Sequence, residues 1–422
     1  MDGMGVRKYL LIVTLITLSV TVGYWLGEQR VRLAWQGWKP GVVVNKTPNF
    51  PTPQSDVDFS LFWRVWDRLG ELYVDKNALD SKKMLDGAIS GMVGAVGDPY
   101  TVYLPGQINK ESKEDLGGAF EGVGIQLGYR DSRLAVVAPL EGSPAYLAGV
   151  KAGDYILHIK DVVAKMDRDT DGLSLPEAVR LIRGKKGTVV QLSLLRNGQK
   201  EPIKVDLVRN TIVVKTVEVM FLDRELSESE RANIAWIKLS RFGDRTQSEW
   251  GEAISRIVNN ESRITGIVLD LRNNPGGYLE GAVQIAGEFL TPGKLVVAQQ
   301  YGDGSKIESK VGRNGSLLKI PLVVVVNKGS ASASEILAGA LQDYKRAKIV
   351  GEKSFGKGSV QQPEDFADGS GLHVTVARWL RPSGEWIDKK GITPDFEVKY
   401  EASDSAELKD DLQLVKSIDL LK

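Results

Sequence analysis

The longest uncharged stretch of the chain lies close to its start. Residues 9–27, YLLIVTLITLSVTVGYWLG, follow Arg7 and Lys8 and contain no charged side chain. As a helix this stretch would be roughly 28 Å long at ~1.5 Å per residue, close to the thickness of a bilayer core. The pattern predicts a membrane anchor within residues 1–30, with a cleaved signal peptide as the alternative. The proline-containing residues 31–56 are expected to be a linker.

The next region places apolar residues at helical spacing. FSLFWRVWDRLGELYV and SKKMLDGAISGMVGAVG both repeat apolar side chains every three to four positions. They predict a helical region over residues 57–112, with two or three amphipathic helices and the turn signal GDPY.

Strand-like runs then dominate residues 115–210. GVGIQLGY, RLAVVAPL, DYILHIKD, TVVQLSLLRNG and PIKVDLVR predict strands, and SPAYLAGV and LPEAVRLIRG predict two short helices. From residue 211 to 398, apolar strands such as GIVLDLR and PLVVVVN alternate with helical patterns near 246–259, 279–290 and 332–345. The expected fold is therefore mixed: a small β-rich domain, an α/β core with a buried sheet, and an amphipathic helical tail over residues 399–422.

Composition removes several kinds of chemistry. The chain has no cysteine, which excludes disulfides, thiolate catalysis and cysteine-based metal sites. Its formal net charge of +1 gives no electrostatic indication of a nucleic-acid partner. The only histidines, His158 and His373, lie in strand-like runs without metal-binding spacing. Catalysis is therefore expected to need no histidine, metal or cofactor.

Two glycine-rich stretches imitate nucleotide-binding motifs. GEKSFGK at 351–357 matches seven positions of the phosphate-loop pattern, but Gly358 stands where a hydroxyl would coordinate magnesium. A strand is expected after it, whereas a phosphate loop must open a helix. GVGIQLG at 122–128 has the wrong spacing for a dinucleotide fingerprint. Nucleotide binding through residues 351–357 remains only a rival function.

A serine cluster and a lysine indicate a different chemistry. NKGSASASEI places Ser330, Ser332 and Ser334 between a buried strand and a helix, where backbone amides stabilise negative charge. Lys357, which glycines flank, could remove a serine proton if burial lowers its pKa from ~10.4 towards neutrality. The plainer interpretation makes Ser330 a helix cap and Lys357 an exposed loop charge. The residues alone do not choose among the three serines.

A second strand-to-helix junction, GIVLDLRNNPGGYLEGA, ends in glycines. The carboxyl ends of neighbouring strands in an α/β sheet lie at one edge, so these amides could face the serine cluster. Taken alone, Pro-Gly-Gly favours a plain turn.

Together these motifs resemble the carboxy-terminal processing proteases, peptidases of family S41 with a Ser–Lys dyad and an inserted PDZ domain. The resemblance covers residues 58–396 and rests on GDPYTVYL, GVGIQL, SPAYLAGVKAGDYIL, RGKKGT, LDLRNNPGG, VNKGSASASEILAGAL, GEKSFGKGSVQQ and RPSGEWIDKKGITPD. It implies a PDZ domain over 115–210 and an α/β peptidase core of ClpP/crotonase type over 211–398. The implied function is a serine endopeptidase that cleaves proteins near their C-termini.

The resemblance also implies roles for single residues. Ser332 would be the nucleophile, Lys357 its general base, and Gln361 the side chain that orients the lysine amine. Ser330 would then be a cap or a substrate-side hydroxyl, and Ser334 a helix residue.

The implied oxyanion donors are the N–H of Ala333 and that of Gly276 or Gly277. Pro275 stands where some relatives carry glycine, so the choice between the two glycines stays open.

In the PDZ domain, the resemblance implies a carboxylate-binding loop formed by Gly122, Val123, Gly124 and Ile125, although a simple β-turn is the alternative. Arg183 would report ligand occupancy, or would be only a surface charge before a turn. The implied partners are protein or peptide substrates with apolar C-termini.

The implied location is a bacterial cell membrane, with a single-pass anchor and the catalytic body on the extracytoplasmic side, or secretion if the segment is cleaved. The N-terminal and tail helices could form a homodimer. A membrane-tethered PDZ scaffold with an inactive protease domain is the other rival function.

Overall fold

The computed structural model describes residues 58–399 and 408–421, except residues 197, 224–232 and 261–262. Before residue 58 it describes residues 14, 17–19, 21, 31–36 and 39–44. The chain divides into two compact units, Met1–Asp80 and Ser81–Lys422.

The first unit contains a hairpin and an amphipathic helix. β1 (Val31–Gln36) and β2 (Lys39–Val44) pair antiparallel, so the predicted linker 31–56 begins with a hairpin and not with irregular chain. Valines at 42–44 favour extended backbone. The linker was predicted from the prolines of the segment, without weighing this preference. Helix α1 (Ser60–Leu72) lies where the spacing predicted it, and none of its residues is buried.

No helix among the described residues is long and apolar enough to cross a membrane. Most of the predicted anchor, residues 1–30, lies outside the described residues.

The second unit begins with helices and one short strand. The elements are α2 (Ser81–Gly94), β3 (Val102–Leu104) and α3 (Gly106–Gly117). Helix α2 follows the expected helical pattern. β3 and α3 lie after the GDPY turn, where the predicted helices end, and β3 was not expected, because a three-residue strand carries no readable periodicity.

A β-rich domain follows, and its core is built from alternate strand positions. Its elements are β4 (Ala119–Gly122), β5 (Ile125–Arg130), β6 (Arg133–Pro139), α4 (Pro144–Leu147), β7 (Tyr155–Asp161), β8 (Met166–Asp169), α5 (Leu175–Ile182), β9 (Val189–Leu195), β10 (Ile203–Val208) and β11 (Asn210–Val213). The main sheet has the order β10-β9-β7-β6-β5, which leaves β5 at an edge, and β11 pairs with β4. The five predicted strands and both predicted helices are present, and His158 lies in β7 as expected.

The α/β core follows the predicted alternation. Its elements are β12 (Val217–Leu222), β13 (Ile234–Leu239), α6 (Thr246–Val258), β14 (Gly266–Asp270), α7 (Leu279–Phe289), β15 (Leu295–Tyr301), β16 (Lys306–Lys310), β17 (Leu322–Val326), α8 (Ala333–Asp343), β18 (Lys348–Gly351), β19 (Ser359–Asp365), β20 (Gly371–Leu380), β21 (Phe396–Glu397) and α9 (Leu412–Asp419). The first sheet has the order β12-β13-β14-β17-β18-β21, parallel except for β12.

Both faces of this sheet are covered, which explains its continuous apolar strands. Ile237 and Val324 pack with α6, α7 and α8 on one face. Trp236 and Val325 pack with the tail helix α9 on the other.

A second sheet, β16-β15-β20-β19, holds His373 in β20, as expected. β3 joins it by pairing with β20, with His373 opposite Val102. The chain that precedes the β-rich domain therefore packs against the strands that follow Lys357.

Candidate active site

The three serines of the cluster have different environments. Ser330 and Ser334 are fully buried, and their hydroxyls donate to the carbonyls of Leu271 (2.8 Å) and Asn274 (2.9 Å). Ser332 is half-buried and lies directly before α8. The expectation that Ser330 is a helix cap or a substrate-side hydroxyl is wrong. Its buried hydroxyl donates to the carbonyl of Leu271, directly after β14, and the residue before α8 is Ser332. Ser334 is a helix residue, as expected.

Ser332 has a strained backbone, with φ 55° and ψ −116°. A positive φ is uncommon for a residue with a side chain and is found most often at functional turns. The flanking hydrogen bonds hold this conformation, since Ala331 N–H donates to Asn274 O at 3.0 Å and Ser332 N–H to Glu335 Oε2 at 2.9 Å. A sharp strand-to-helix turn of this kind projects its serine hydroxyl away from the sheet.

Lys357 lies between two glycines in a loop that packs closely against residues 386–391. A side chain at either glycine would clash with that segment. A Cβ at Gly356, whose φ is 88°, would lie 2.9 Å from the N of Gly391. A Cβ at Gly358 would lie 2.5 Å from Trp386 Nε1. β19 begins at Ser359, so a strand and not a helix follows GEKSFGK, as expected, and the phosphate-loop interpretation loses its helix N-terminus.

One buried carboxylate joins the serine and lysine segments. Glu335 Oε2 accepts the N–H groups of Ser332 and Lys357, both at 2.9 Å. Its Oε1 accepts from Gly356 N (2.6 Å) and Ser354 Oγ (2.5 Å). The two segments are far apart in sequence, yet their amides meet at a single oxygen.

The surroundings of Lys357 shift the pKa of its amine downwards. Burial lowers the pKa of the Lys357 amine, although the carboxylates of Asp98 and Glu335 oppose the change. Burial also raises the pKa of Glu335, against the hydrogen bonds it accepts from Ser354, Gly356, Lys357 and Ser332. The Lys357 Nζ lies 5.1 Å from the centroid of the Tyr100 ring.

Gln361 lies in β19 close to this loop, but its side-chain amide is directed elsewhere. Its Nε2 donates to Ser359 Oγ at 2.8 Å and to Thr375 Oγ1 at 3.2 Å. Among the described residues, no hydrogen bond joins it to the Lys357 amine.

Of the two glycines after β14, Gly276 lies against Ser332, whereas Gly277 lies against Phe242. A Cβ at Gly276 would lie 2.7 Å from Ser332 Cβ and 3.0 Å from Ala333 N. The Gly276 N–H donates to Asn274 Oδ1 at 2.9 Å. Within the described ranges, the N–H groups of Gly277 and Ala333 have no acceptor. Asn274, which was not singled out in the sequence, is fully buried and also donates to Leu239 O at 2.7 Å.

The predicted carboxylate-binding loop lies between β4 and β5. The carbonyls of Val123 and Gly124 accept from Ala145 N (3.0 Å) and Leu140 N (2.9 Å), which orients the loop against α4. Gly124 has φ 73°, and a Cβ there would lie 2.3 Å from Ser143 Cβ. Gly122 ends β4 and Ile125 begins β5, so the loop leads into the edge strand of the sheet.

Arg183 ends α5 and is more than a surface charge. Its guanidinium lies 4.1 Å from the Phe120 ring centroid, and its Nη1 lies 4.0 Å from Glu114 Oε2 on α3. The side chain is only 26% exposed. Arg183 therefore links the β-rich domain to the helix that follows β3.

Sequence reasoning missed two parts of the site. Glu335 had a readable signal, because Ser332-x-x-Glu335 is the spacing of a capping box. Asp98 and Tyr100 belong to GDPY, which predicts a turn but not its contact with a lysine more than 250 residues later.

Comparison with known proteins places this geometry in a family. Residues 233–398 match peptidase family S41, residues 136–196 match a PDZ domain, and residues 46–107 match the N-terminal domain of the activating protease CtpB. The chain is 38% identical over 353 residues to carboxy-terminal processing protease CtpA of Bacillus subtilis (strain 168), covering 84% of this chain and 71% of CtpA. It is 35% identical over 356 residues to carboxy-terminal processing protease CtpB of the same strain, covering 83% of this chain and 70% of CtpB.

A solved structure from Bacteroides fragilis NCTC 9343, assigned to the S41 proteases, aligns at 15% identity with a TM-score of 0.54. The alignment covers 84% of this chain and 96% of that chain and supports the same fold. The sequence identity to the two Bacillus proteases, over most of each chain, supports membership of their family and not only a shared fold. The chain belongs to the carboxy-terminal processing proteases of peptidase family S41 and is a serine peptidase with a PDZ domain.

Proposed function

We propose that Ser332 is the nucleophile and Lys357 the general base of this peptidase. The observation that carries this assignment is the Glu335 carboxylate, whose Oε2 accepts the N–H groups of both residues at 2.9 Å. Ser330 and Ser334 are buried and donate to carbonyls, so neither hydroxyl is available to a substrate. Ser332 is the serine that remains.

The reaction proceeds through an acyl-enzyme. The neutral Lys357 amine takes the Ser332 proton while Oγ attacks the scissile carbonyl carbon. The ammonium then protonates the leaving amine, which releases the C-terminal fragment and leaves an ester on Ser332. Lys357 next takes a proton from water, whose oxygen attacks the ester, and returns that proton to Oγ. No step uses a metal or a cofactor.

The oxyanion is held by the amides of Ala333 and Gly277. Both N–H groups lack an acceptor among the described residues, whereas the Gly276 N–H is already donated to Asn274. Gly276 instead provides the close approach to Ser332. Gln361 positions the base indirectly, because it ties Ser359, two residues after Lys357, to Thr375 of β20.

The PDZ domain delivers the substrate tail. An extended C-terminal segment adds to the free edge of β5, and its carboxylate meets the amides of residues 122–125. Ile125, Leu127 and Leu175 are partly buried around the domain core and favour an apolar terminal side chain. Arg183 reports occupancy, because its contacts with Phe120 and Glu114 link α5 to α3.

The chain is also proposed to be anchored and dimeric. The uncharged stretch 9–27 is the anchor, with the catalytic body on the extracytoplasmic side. Helix α1 exposes Leu61, Trp63 and Leu72 by 52–72% and buries no residue, so a second copy of the chain covers its apolar side. We also propose that the anchor, linker, helical region, PDZ domain, peptidase core and tail are divided at residues 30, 56, 112, 210 and 398.

Hydrolysis of a peptide with an apolar C-terminal tail tests the dyad. Ser332→Ala and Lys357→Ala are each expected to lower kcat/KM by ~10²–10⁴-fold or more, whereas exposed Lys353→Ala retains activity. Cleavage that survives Lys357→Ala would refute the dyad, and cleavage lost to a chelator would refute the metal-free reaction. A full chain that binds the peptide but never cleaves it would restore the scaffold, and ATP binding through 351–357 would restore the nucleotide-binding rival.

A further inference from the structure

The turn at residues 98–101 lies beside Lys357, although it belongs to a distant part of the chain. It lies before the β-rich domain, and β3, which follows it directly, pairs with β20. Thr375 N–H of β20 donates to Thr101 Oγ1 at 3.1 Å, and Thr375 Oγ1 accepts from Gln361 at 3.2 Å. The turn is therefore fixed to the strands that follow the lysine loop.

Asp98 accepts two hydrogen bonds inside this turn. The donors are Thr101 Oγ1 at 2.7 Å and the Tyr100 N–H at 3.1 Å. These bonds orient the Tyr100 backbone, and its ring then lies under the Lys357 side chain, with Nζ 5.1 Å from the ring centroid. A ring face at this distance attracts an ammonium more strongly than a neutral amine.

We propose that Tyr100 is a positioning residue of the active site, whose ring face holds the Lys357 amine in place and stabilises the ammonium formed when it takes the Ser332 proton. This inference rests on the proposed Ser332–Lys357 dyad. It gives the GDPY turn a catalytic purpose beyond ending a helical region.

Other titratable groups around Lys357 also act on its charge. The carboxylates of Asp98 and Glu335 favour the ammonium, but Glu335 already accepts four hydrogen bonds from the Ser332 and Lys357 segments. His373 of β20 lies near enough that Lys357, after burial, lowers the pKa of its imidazole.

The ring itself stays uncharged. Burial raises the pKa of the Tyr100 hydroxyl, and the nearby carboxylates of Asp388, Glu335 and Asp98 raise it further. The contact with Lys357 Nζ is made by the ring face, so it does not depend on the hydroxyl.

The test compares Tyr100→Leu, which removes the ring, with Tyr100→Phe, which keeps it. For hydrolysis of an apolar-tailed peptide by the full chain, Tyr100→Leu is expected to move the acid limb of the kcat/KM profile down by roughly 0.4–1.5 pH units. Its plateau should also fall, because a weaker base accepts the proton less readily. Tyr100→Phe should keep the parental acid limb.

A second measurement needs no turnover. In the Ser332→Ala full chain with ¹³Cε-labelled lysine, the Lys357 resonance, identified by its loss in Lys357→Arg, should titrate at lower pH after Tyr100→Leu and unchanged after Tyr100→Phe. A titration that is unchanged or moves upward after Tyr100→Leu would overturn the inference. Failure of the dyad is separate, because it would appear as peptide cleavage by Lys357→Ala.

Discussion

At the scale of single residues, Glu335 organises the site without touching the reacting atoms. Both of its oxygens accept two hydrogen bonds, and the four donors belong to the serine turn and the lysine loop. A capping box usually satisfies the start of one helix. Here the same carboxylate also fixes a second segment, so the position of Lys357, the proposed base, depends on the cap of the helix that follows Ser332.

Replacing Glu335 by glutamine should therefore uncouple the two segments. The amide has one acceptor oxygen, so two of the four donors would face an NH₂ group and lose their partner. With ~1–3 kcal/mol for each unsatisfied buried group, Glu335→Gln should lower kcat/KM roughly 10- to 100-fold or more and reduce stability. The exposed Glu364→Gln in β19 is the matched control. Peptide hydrolysis at parental kcat/KM by Glu335→Gln would show that the carboxylate is dispensable.

Lys357 should reduce the stability of the protein that it serves. Burial lowers its pKa in the folded state, so the unfolded chain binds the proton more tightly than the folded one. The resulting loss of stability is absent above the unfolded value of ~10.4 and grows as pH falls below it. Lys357→Met keeps the aliphatic length without the charge, so it should abolish hydrolysis yet raise the urea midpoint at pH 7. The gain should shrink as pH approaches ~10.

Tryptophan fluorescence during urea unfolding of the full chain measures this effect, and the exposed Lys353→Met should leave the midpoint unchanged. A lower midpoint for Lys357→Met at pH 7 would mean that the folded protein favours the charged lysine.

At the scale of elements, the sequence pattern predicted what depends on local periodicity. The strands and helices of the α/β core are long and alternate regularly, so α6, α7 and α8 begin close to their predicted positions. Short or edge strands such as β3 and β16 lack a readable period, and pairing across the chain creates them.

The candidate site was predictable to the same extent. Ser332 and Lys357 lie at element ends that the pattern located, and the resemblance to the processing proteases, not the pattern, led to the expectation that they act together. The choice of Ser332 over Ser330 depends on which hydroxyl meets the Leu271 carbonyl, and the Tyr100 contact depends on β3 pairing with β20. These are tertiary contacts between distant parts of the chain, and no local pattern encodes them.

The tail helix α9 offers a prediction at this scale. Leu414 is fully buried with Trp236 and Val325, whereas Leu412 on the same helix is 51% exposed. Leu414→Ala should therefore cost ~2–5 kcal/mol of unfolding free energy, and Leu412→Ala less than ~0.5 kcal/mol. Urea unfolding of the two variants makes the comparison, and equal losses would mean that α9 does not close the core.

The rate of catalysis should also depend on the packing of α9. Arg272 bonds Asp411 and Gln413 at 2.9 and 3.2 Å and lies two residues before Asn274, whose side chain holds the Gly276 amide. Loosening α9 should therefore lower kcat of Leu414→Ala more than it changes the affinity of the PDZ domain for a peptide tail.

At the scale of the whole molecule, we propose that the PDZ domain and the peptidase core communicate through α3 and β3, which precede the PDZ domain. Arg183 ends α5 of the PDZ domain and contacts Glu114 of α3. That helix follows β3, which pairs with β20, and β20 pairs with β19, the strand that follows Lys357. A tail that adds to β5 would bind next to α5. If the tail moves α5, Arg183 moves with it, because it ends that helix.

Arg183→Ala should therefore separate tail recognition from catalysis. Losing its ring and carboxylate contacts should reduce cleavage of an apolar-tailed peptide roughly 5- to 30-fold, the effect of ~1–2 kcal/mol. Cleavage of the same peptide without the tail should not change, because the dyad contacts remain. Arg180→Ala is the matched control, since it lies exposed on the same helix. If Arg183→Ala slows both peptides equally, the side chain supports the structure of the site and carries no signal from the PDZ domain.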